Sequence, residues 1–169
     1  MIGLRSTLAA VLTAPVLALA TTTAMPLRSD AATPCGASAN DIFGTFVAHR
    51  TPAAGAPDAG YKEVSTVTFS APNKVTTDYE STTPSGQPSA SGKGTGTFTV
   101  GPPLGWTEQG TYHYNNGTAQ GTTAPYQIQF KASNETCTTG TRVTSFTGTG
   151  TGSTGGVRAS DTETFTRQP

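Results

Sequence analysis

The sequence predicts an all-β protein: a single antiparallel domain of about eight strands, closing as an up-and-down barrel in preference to a two-sheet sandwich. Three observations carry that expectation. Short runs of alternating apolar and polar residues recur at nearly regular spacing, separated by Gly, Pro, Asn and Ser clusters. Threonine, β-branched and suited to a half-buried pleated surface, supplies much of the polarity. Beyond the first 31 residues, no segment of ten or more shows helical periodicity. Closure is preferred because it removes the exposed edges a Thr-rich sheet otherwise offers for aggregation.

In order, the first strand is expected over Asp41 to His49, followed by a loop rich in Pro, Ala and Gly from Thr51 to Gly60. Tyr61 to Ser70 alternates, with Tyr61, Val67 and Phe69 on one face. A turn at Ala71-Pro72-Asn73 leads to Lys74–Ser81, where Val75, Thr77 and Tyr79 oppose Asp78 and Glu80. Thr82 to Lys93 reads as a mobile polar loop. Gly94–Val100 and Trp106–Tyr114 follow as strands around a Pro102-Pro103 turn. Asn116-Gly117 then carries a two-residue hairpin signal. Thr118 to Ala132 resumes with Tyr126, Ile128 and Phe130 alternating, and Pro125 marks a division, an edge or a bulge. Ser133–Gly140 is read as a cysteine-bearing loop, Arg142–Thr149 as a strand, Gly150–Gly156 as a glycine-rich turn and Val157–Thr166 as the last strand.

The chain opens on a secretory pattern. Arg5 precedes a thirteen-residue apolar run from Leu8 to Ala20, and small-residue cleavage candidates follow up to Ala31. The run is interrupted by Pro15 and is short of the roughly 20 residues a membrane span needs. Residues 1–31 are therefore expected to be a signal peptide, cleaved between residues 20 and 31, and residues 32–169 the secreted domain, extracellular or associated with the cell envelope. In an oxidising compartment Cys35 and Cys137 are expected to form one disulfide. Closing a loop of about 100 residues, it would contribute at most ~4.7 kcal/mol in the chain-entropy model.

Composition excludes several classes. The formal net charge is zero and only 12% of residues are charged. The few Lys and Arg are scattered, so no basic stripe is available for nucleic acid. No second long apolar stretch and no basic amphipathic helix supports membrane insertion of the mature chain. A lipid-facing barrel would need an apolar outer band, and here the outer face is mostly Thr, Ser and charge. No Cys or His pair lies at metal-ligand spacing, and no cofactor fingerprint is present, so neither metal nor cofactor is expected.

Chemistry-bearing residues are sparse. No Gly-x-Ser-x-Gly elbow occurs. His113 lies between Tyr112 and Tyr114, so alternation turns it outward, and His49 is likewise read as a surface group. Asp78 and Glu80 face water opposite Val75 and Tyr79. Asp161 and Glu163 share a face with Val157 and Phe165, a clash between pattern and burial. Either Thr162, Thr164 and Thr166 turn inward, or the two carboxylates enter a polar interior. In the second case Asp161 and Glu163 are the catalytic candidates, since paired carboxylates in a cleft can divide acid and base roles. The aromatic row Trp106, Tyr112, Tyr114 and Tyr126, continued by Phe130, is either core or the ligand-binding surface. Asn116 and Asn134 stand in glycosylation sequons, meaningful in a eukaryotic secretory route.

In size, strand count and aromatic-lined alternation the chain resembles calycin-type barrels such as avidins and lipocalins. Their sequence signatures are absent, so no residue roles carry over. The expected function is non-enzymatic binding of a small ligand, a glycan or an extracellular protein. The alternatives are a structural, envelope-associated protein and a small barrel isomerase or cyclase using Asp161 and Glu163.

Overall fold

The computed structural model describes residues 38–101, 104–137 and 142–169. The expected signal peptide (residues 1–31), Cys35 and the Pro102-Pro103 turn lie outside the described residues. A short helix, α1 (Ala39–Ile42), precedes eight strands: β1 (Gly44–Pro52), β2 (Lys62–Ser70), β3 (Lys74–Thr82), β4 (Pro88–Gly101), β5 (Gly105–Tyr114), β6 (Thr123–Cys137), β7 (Val143–Thr154) and β8 (Val157–Arg167). Each strand pairs antiparallel with the next, and β8 returns to β1, closing the barrel. The closing register runs from Phe46↔Arg167 to Pro52↔Asp161. The up-and-down barrel, not the sandwich, is the architecture.

Several expected boundaries shift, the first strand's among them: Asp41 and Ile42 belong to α1, and β1 starts at Gly44 and runs on to Pro52. The polar segment 82–93 is largely strand, because β4 starts at Pro88 and pairs with β3 through Gly92, Gly94 and Gly96. Segment 150–156 is also mostly strand, and only Gly155 and Gly156 form the β7–β8 turn, both at positive φ. β6 extends past Ala132 to Cys137, with register shifts that absorb the extra length. Asn116-Gly117 does not make a two-residue hairpin. The β5–β6 connection spans residues 115–122, and only Gly117 of that pair has positive φ. Pro125 lies within an unbroken β6, opposite Thr111 of β5.

The interior is divided along the barrel axis. One half is an aromatic core: Phe46, Phe69, Phe98, Phe130, Phe146 and Phe165 are all buried, and Phe43 packs partly buried against them. Trp106 stacks on Phe130 at 4.2 Å and Phe146 on Phe165 at 4.5 Å. Seven phenylalanines and one tryptophan thus fill a core from a chain only 34% hydrophobic, because aromatic rings bury about 150–250 Å² each. This end is sealed. Ile42 of α1 is fully buried beneath the rings. Arg167 lies over the Phe46 ring and donates to the carbonyls of Val143, Phe43 and Asp41.

Candidate functional site

The other half of the barrel is polar and open. Connections 53–61, 83–87, 115–122 and 155–156 gather at this end, since each follows a strand running away from the sealed pole. Between them lies a cavity of about 410 Å³, toward the lower end of the range of about 300–1,000 Å³ for ligand sites. Trp106, Phe130 and Phe165 reach it from the aromatic core and form its floor. Tyr79, Tyr112 and Tyr114 line its walls.

Alternation along β8 places Asp161 and Glu163 on the inner wall, and Thr162, Thr164 and Thr166 outside. The clash read in the sequence is therefore resolved by a polar interior. Space for the two carboxylates comes from β7. Gly150 faces them, and a Cβ there would meet Asp161 Oδ1, with Glu163 Oε1 at 3.1 Å. The glycines of β4 serve the tyrosines in the same way: a Cβ on Gly94 would lie 2.6 Å from the Tyr112 ring, and one on Gly96 2.6 Å from the Tyr126 hydroxyl.

Arg50 is the hub of the charged cluster. Its Nε donates to Asp161 Oδ2 and its Nη1 to Asp58 Oδ2 at 2.8 Å, with Glu63 Oε2 at 3.6 Å. Burial alone would lower the guanidinium pKa, but Asp161, Glu63 and Asp58 more than offset it and hold the charge. Ser65 donates to Glu63 Oε1 at 3.1 Å. Deeper in the barrel, Glu108 is buried and accepts from Tyr126 Oη at 2.7 Å and Trp106 Nε1 at 3.3 Å.

Five carboxylates thus line the cavity together with Arg50: Asp58, Glu63, Glu108, Asp161 and Glu163. Lys62 and Arg158 stand at the rim, exposed to solvent. Burial and mutual repulsion raise three of the acids. Desolvation pushes Glu163 well above the ordinary carboxylate range, reinforced by Asp161 and Glu63 and opposed by Arg50. Desolvation also raises Glu63 and Glu108, each partly offset by its hydrogen bonds, and Glu63 further by Arg50. The Tyr112 hydroxyl is pushed up by burial and then by Glu108. Asp161 Oδ1 and Asp58 Oδ1 are enclosed without a hydrogen-bond partner among the described residues.

Of the residues singled out in the sequence, Trp106, Tyr112, Tyr114, Asp161 and Glu163 converge on this cavity. Tyr126 does not line it. Buried behind the wall, Tyr126 packs on Tyr112 at 4.4 Å and anchors Glu108. His49, His113, Asp78 and Glu80 are exposed, as alternation predicts. Asn116 and Asn134 are exposed too, and the Asn116 side-chain oxygen accepts from the Ser91 amide. Cys137 closes β6, partly buried against the core.

Sequence reasoning missed Arg50, Asp58, Glu63 and Glu108. Three were accessible to it. Arg50 continues the inward row Phe46, Ala48, Glu63 the row Phe69, Val67, Ser65, and Glu108 lies between Trp106 and Gly110 on the inner face of β5. Asp58 comes from a loop and gave no periodic signal.

No protein-family model and no curated protein sequence matches the chain. Among solved structures it is similar to a de novo designed fluorescence-activating β-barrel, at 15% identity, covering 77% of this chain and 96% of that one, with a TM-score of 0.43. The barrel assignment here rests on the strand pairing itself.

Proposed function

We propose that this is an exported small-molecule-binding barrel whose ligand occupies the open polar half. The observation that carries the reading is convergence: aromatic floor, tyrosine walls and buried carboxylates from β2, β3, β5, β6 and β8 meet in one water-accessible cavity. An apolar cavity with a few convergent polar groups is the usual form of a ligand site. Trp106, the only tryptophan of the chain, forms part of the floor and reports occupancy. Titrating the purified protein with a chemically diverse small-molecule library should change Trp106 fluorescence and raise the melting temperature for at least one compound class. A library that moves neither signal excludes the reading.

A second reading is supported by the contrast between two neighbouring carboxyls. Asp161 is engaged by Arg50, whereas burial favours the protonated form of Glu163. A carboxyl favoured in its protonated form beside one ion-paired to a guanidinium is what an acid–base isomerase or cyclase needs. Recovery of a bound compound in rearranged form, with no rearrangement by Glu163→Gln, supports the enzyme. Unaltered recovery supports the carrier. The envelope-associated alternative draws on the threonine coat alone and gains nothing from the cavity.

A further inference from the structure

We infer that the cavity selects a compact primary amine carried on a flat apolar body, its ammonium group held among Asp161, Glu163 and Glu63 and its body lying over Trp106 and Phe130. This deepens, and rests on, the binding reading above.

The charge inventory sets the sign of the ligand. Arg50 is already engaged by Asp161, Asp58 and Glu63, so it does not offer itself to an anion. The remaining inward groups are acids and phenols. An anionic ligand would add to a field that already favours protonation of Glu63 and Glu163, whereas a cation relieves it.

Hydrogen bonding narrows the choice to an amine bearing N–H groups. The Asp161 side chain is 11% exposed, and its enclosed Oδ1 has no donor among the described residues. An acceptor in that state is stabilised by an incoming donor. A quaternary ammonium brings none. Gly150 lets the two carboxylates pack against β7, with Asp161 Oδ1 where a Cβ would otherwise stand, so they meet the cavity from one side only.

The apolar part follows from the floor. Trp106 and Phe130 both line the cavity floor, so a flat apolar body seated there meets aromatic surface. The Tyr79 and Tyr112 rings on the wall meet edge to face at 5.5 Å, and their faces add cation–π attraction for the ammonium.

Three matched probes test the inference: 2-phenylethylamine, 2-phenylethanol and phenylacetate, followed by Trp106 fluorescence and calorimetry. The amine is expected to bind about tenfold or more tighter than the alcohol, and phenylacetate weakest. Amine affinity should rise between pH 5 and pH 8, with protons released on binding. The charged and titratable groups that share the cavity with Glu163 are Arg50 (β1), Asp58 and Tyr61 (β1–β2 loop), Glu63 (β2), Tyr79 (β3), Glu108, Tyr112 and Tyr114 (β5) and Asp161 (β8), with Lys62 and Arg158 at the rim. β4 and β7 present glycines there. Burial raises Glu63, Glu108 and Glu163 above the ordinary carboxylate range, and each can only lose a proton as pH rises, so the slope has one sign. Glu163→Gln, of the same shape, should reduce the amine-over-alcohol ratio and flatten the pH dependence. Equal binding of amine and alcohol, or amine affinity that falls with pH, overturns the ligand class and leaves the cavity reading intact. If none of the three probes binds while other neutral compounds do, the ligand class is likewise overturned. Silence from every compound defeats the cavity reading itself. The wild-type comparison and its pH profile stand even if the variant does not fold.

Discussion

Glu163 couples the interior to pH before any ligand is considered. Burial holds its carboxyl well above the ordinary range in the folded barrel, whereas in the unfolded chain glutamate titrates near its ordinary pKa of about 4.3. The folded state therefore binds more protons, and stability must fall as pH rises. The contribution is complete below about pH 4.3 and declines as pH climbs toward the raised folded value. Glu63 and Glu108 act in the same direction. Melting temperature is expected to be higher at pH 5 than at pH 8, and Glu163→Gln to narrow that gap by stabilising the barrel at pH 8. A larger gap in the variant would contradict the assignment. The clash of Asp161 and Glu163 with the apolar rhythm of β8 was legible in the sequence, but its resolution was not. Deciding it requires knowing what stands opposite, and the space-making residue, Gly150, belongs to another strand.

At the scale of the strand, β4 and β7 owe their form to residues that ordinarily weaken strands. Inward glycines at 92, 94 and 96 in β4 and at 148 and 150 in β7 receive side chains of their neighbours, and Gly152 receives the β6 backbone. In a one-dimensional reading the same residues mark turns, which is why segments 82–93 and 150–156 were expected as loop and turn. Strands carried by large inward residues, such as Val75, Thr77 and Tyr79 of β3, were read correctly because alternation alone identifies them. Gly96→Ala would put a Cβ against the Gln109 carbonyl oxygen and 2.6 Å from the Tyr126 hydroxyl, and is expected to cost about 1–3 kcal/mol. Gly101→Ala, also in β4 but with open space around its Cα, should be neutral or stabilising by up to ~1 kcal/mol. Denaturant midpoints of the two variants provide the comparison. Equal losses would remove the packing explanation.

The whole molecule is a closed barrel with unlike ends. Strand number and antiparallel order followed from evenly spaced alternating runs joined by short connections, and closure from the aggregation hazard of open edges. The axial division was hidden, because it depends on which inward residues share a level across eight strands. Sealing rests heavily on Arg167, whose planar fork satisfies three carbonyls from α1, the α1–β1 junction and β7. Arg167→Ala is expected to cost roughly 2–3 kcal/mol, and Arg167→Lys to recover only part of it, since an ammonium lacks the fork. Urea unfolding would show it, and a loss no greater than that of an exposed Thr→Ala change would refute the role. The expected Cys35–Cys137 bridge would lie near the same pole, where β6 ends. Peptide mapping without reduction should yield one cross-linked pair, and two alkylatable thiols would exclude it.

The sealed pole also receives both ends of the folded chain. Ser38 leads into α1 there, and the Gln168 amide donates to the Thr45 carbonyl at 2.8 Å beside it. A segment joined directly before Ser38 or after Gln168 would therefore meet the barrel at its base, like a cup held from below, at the pole opposite the opening.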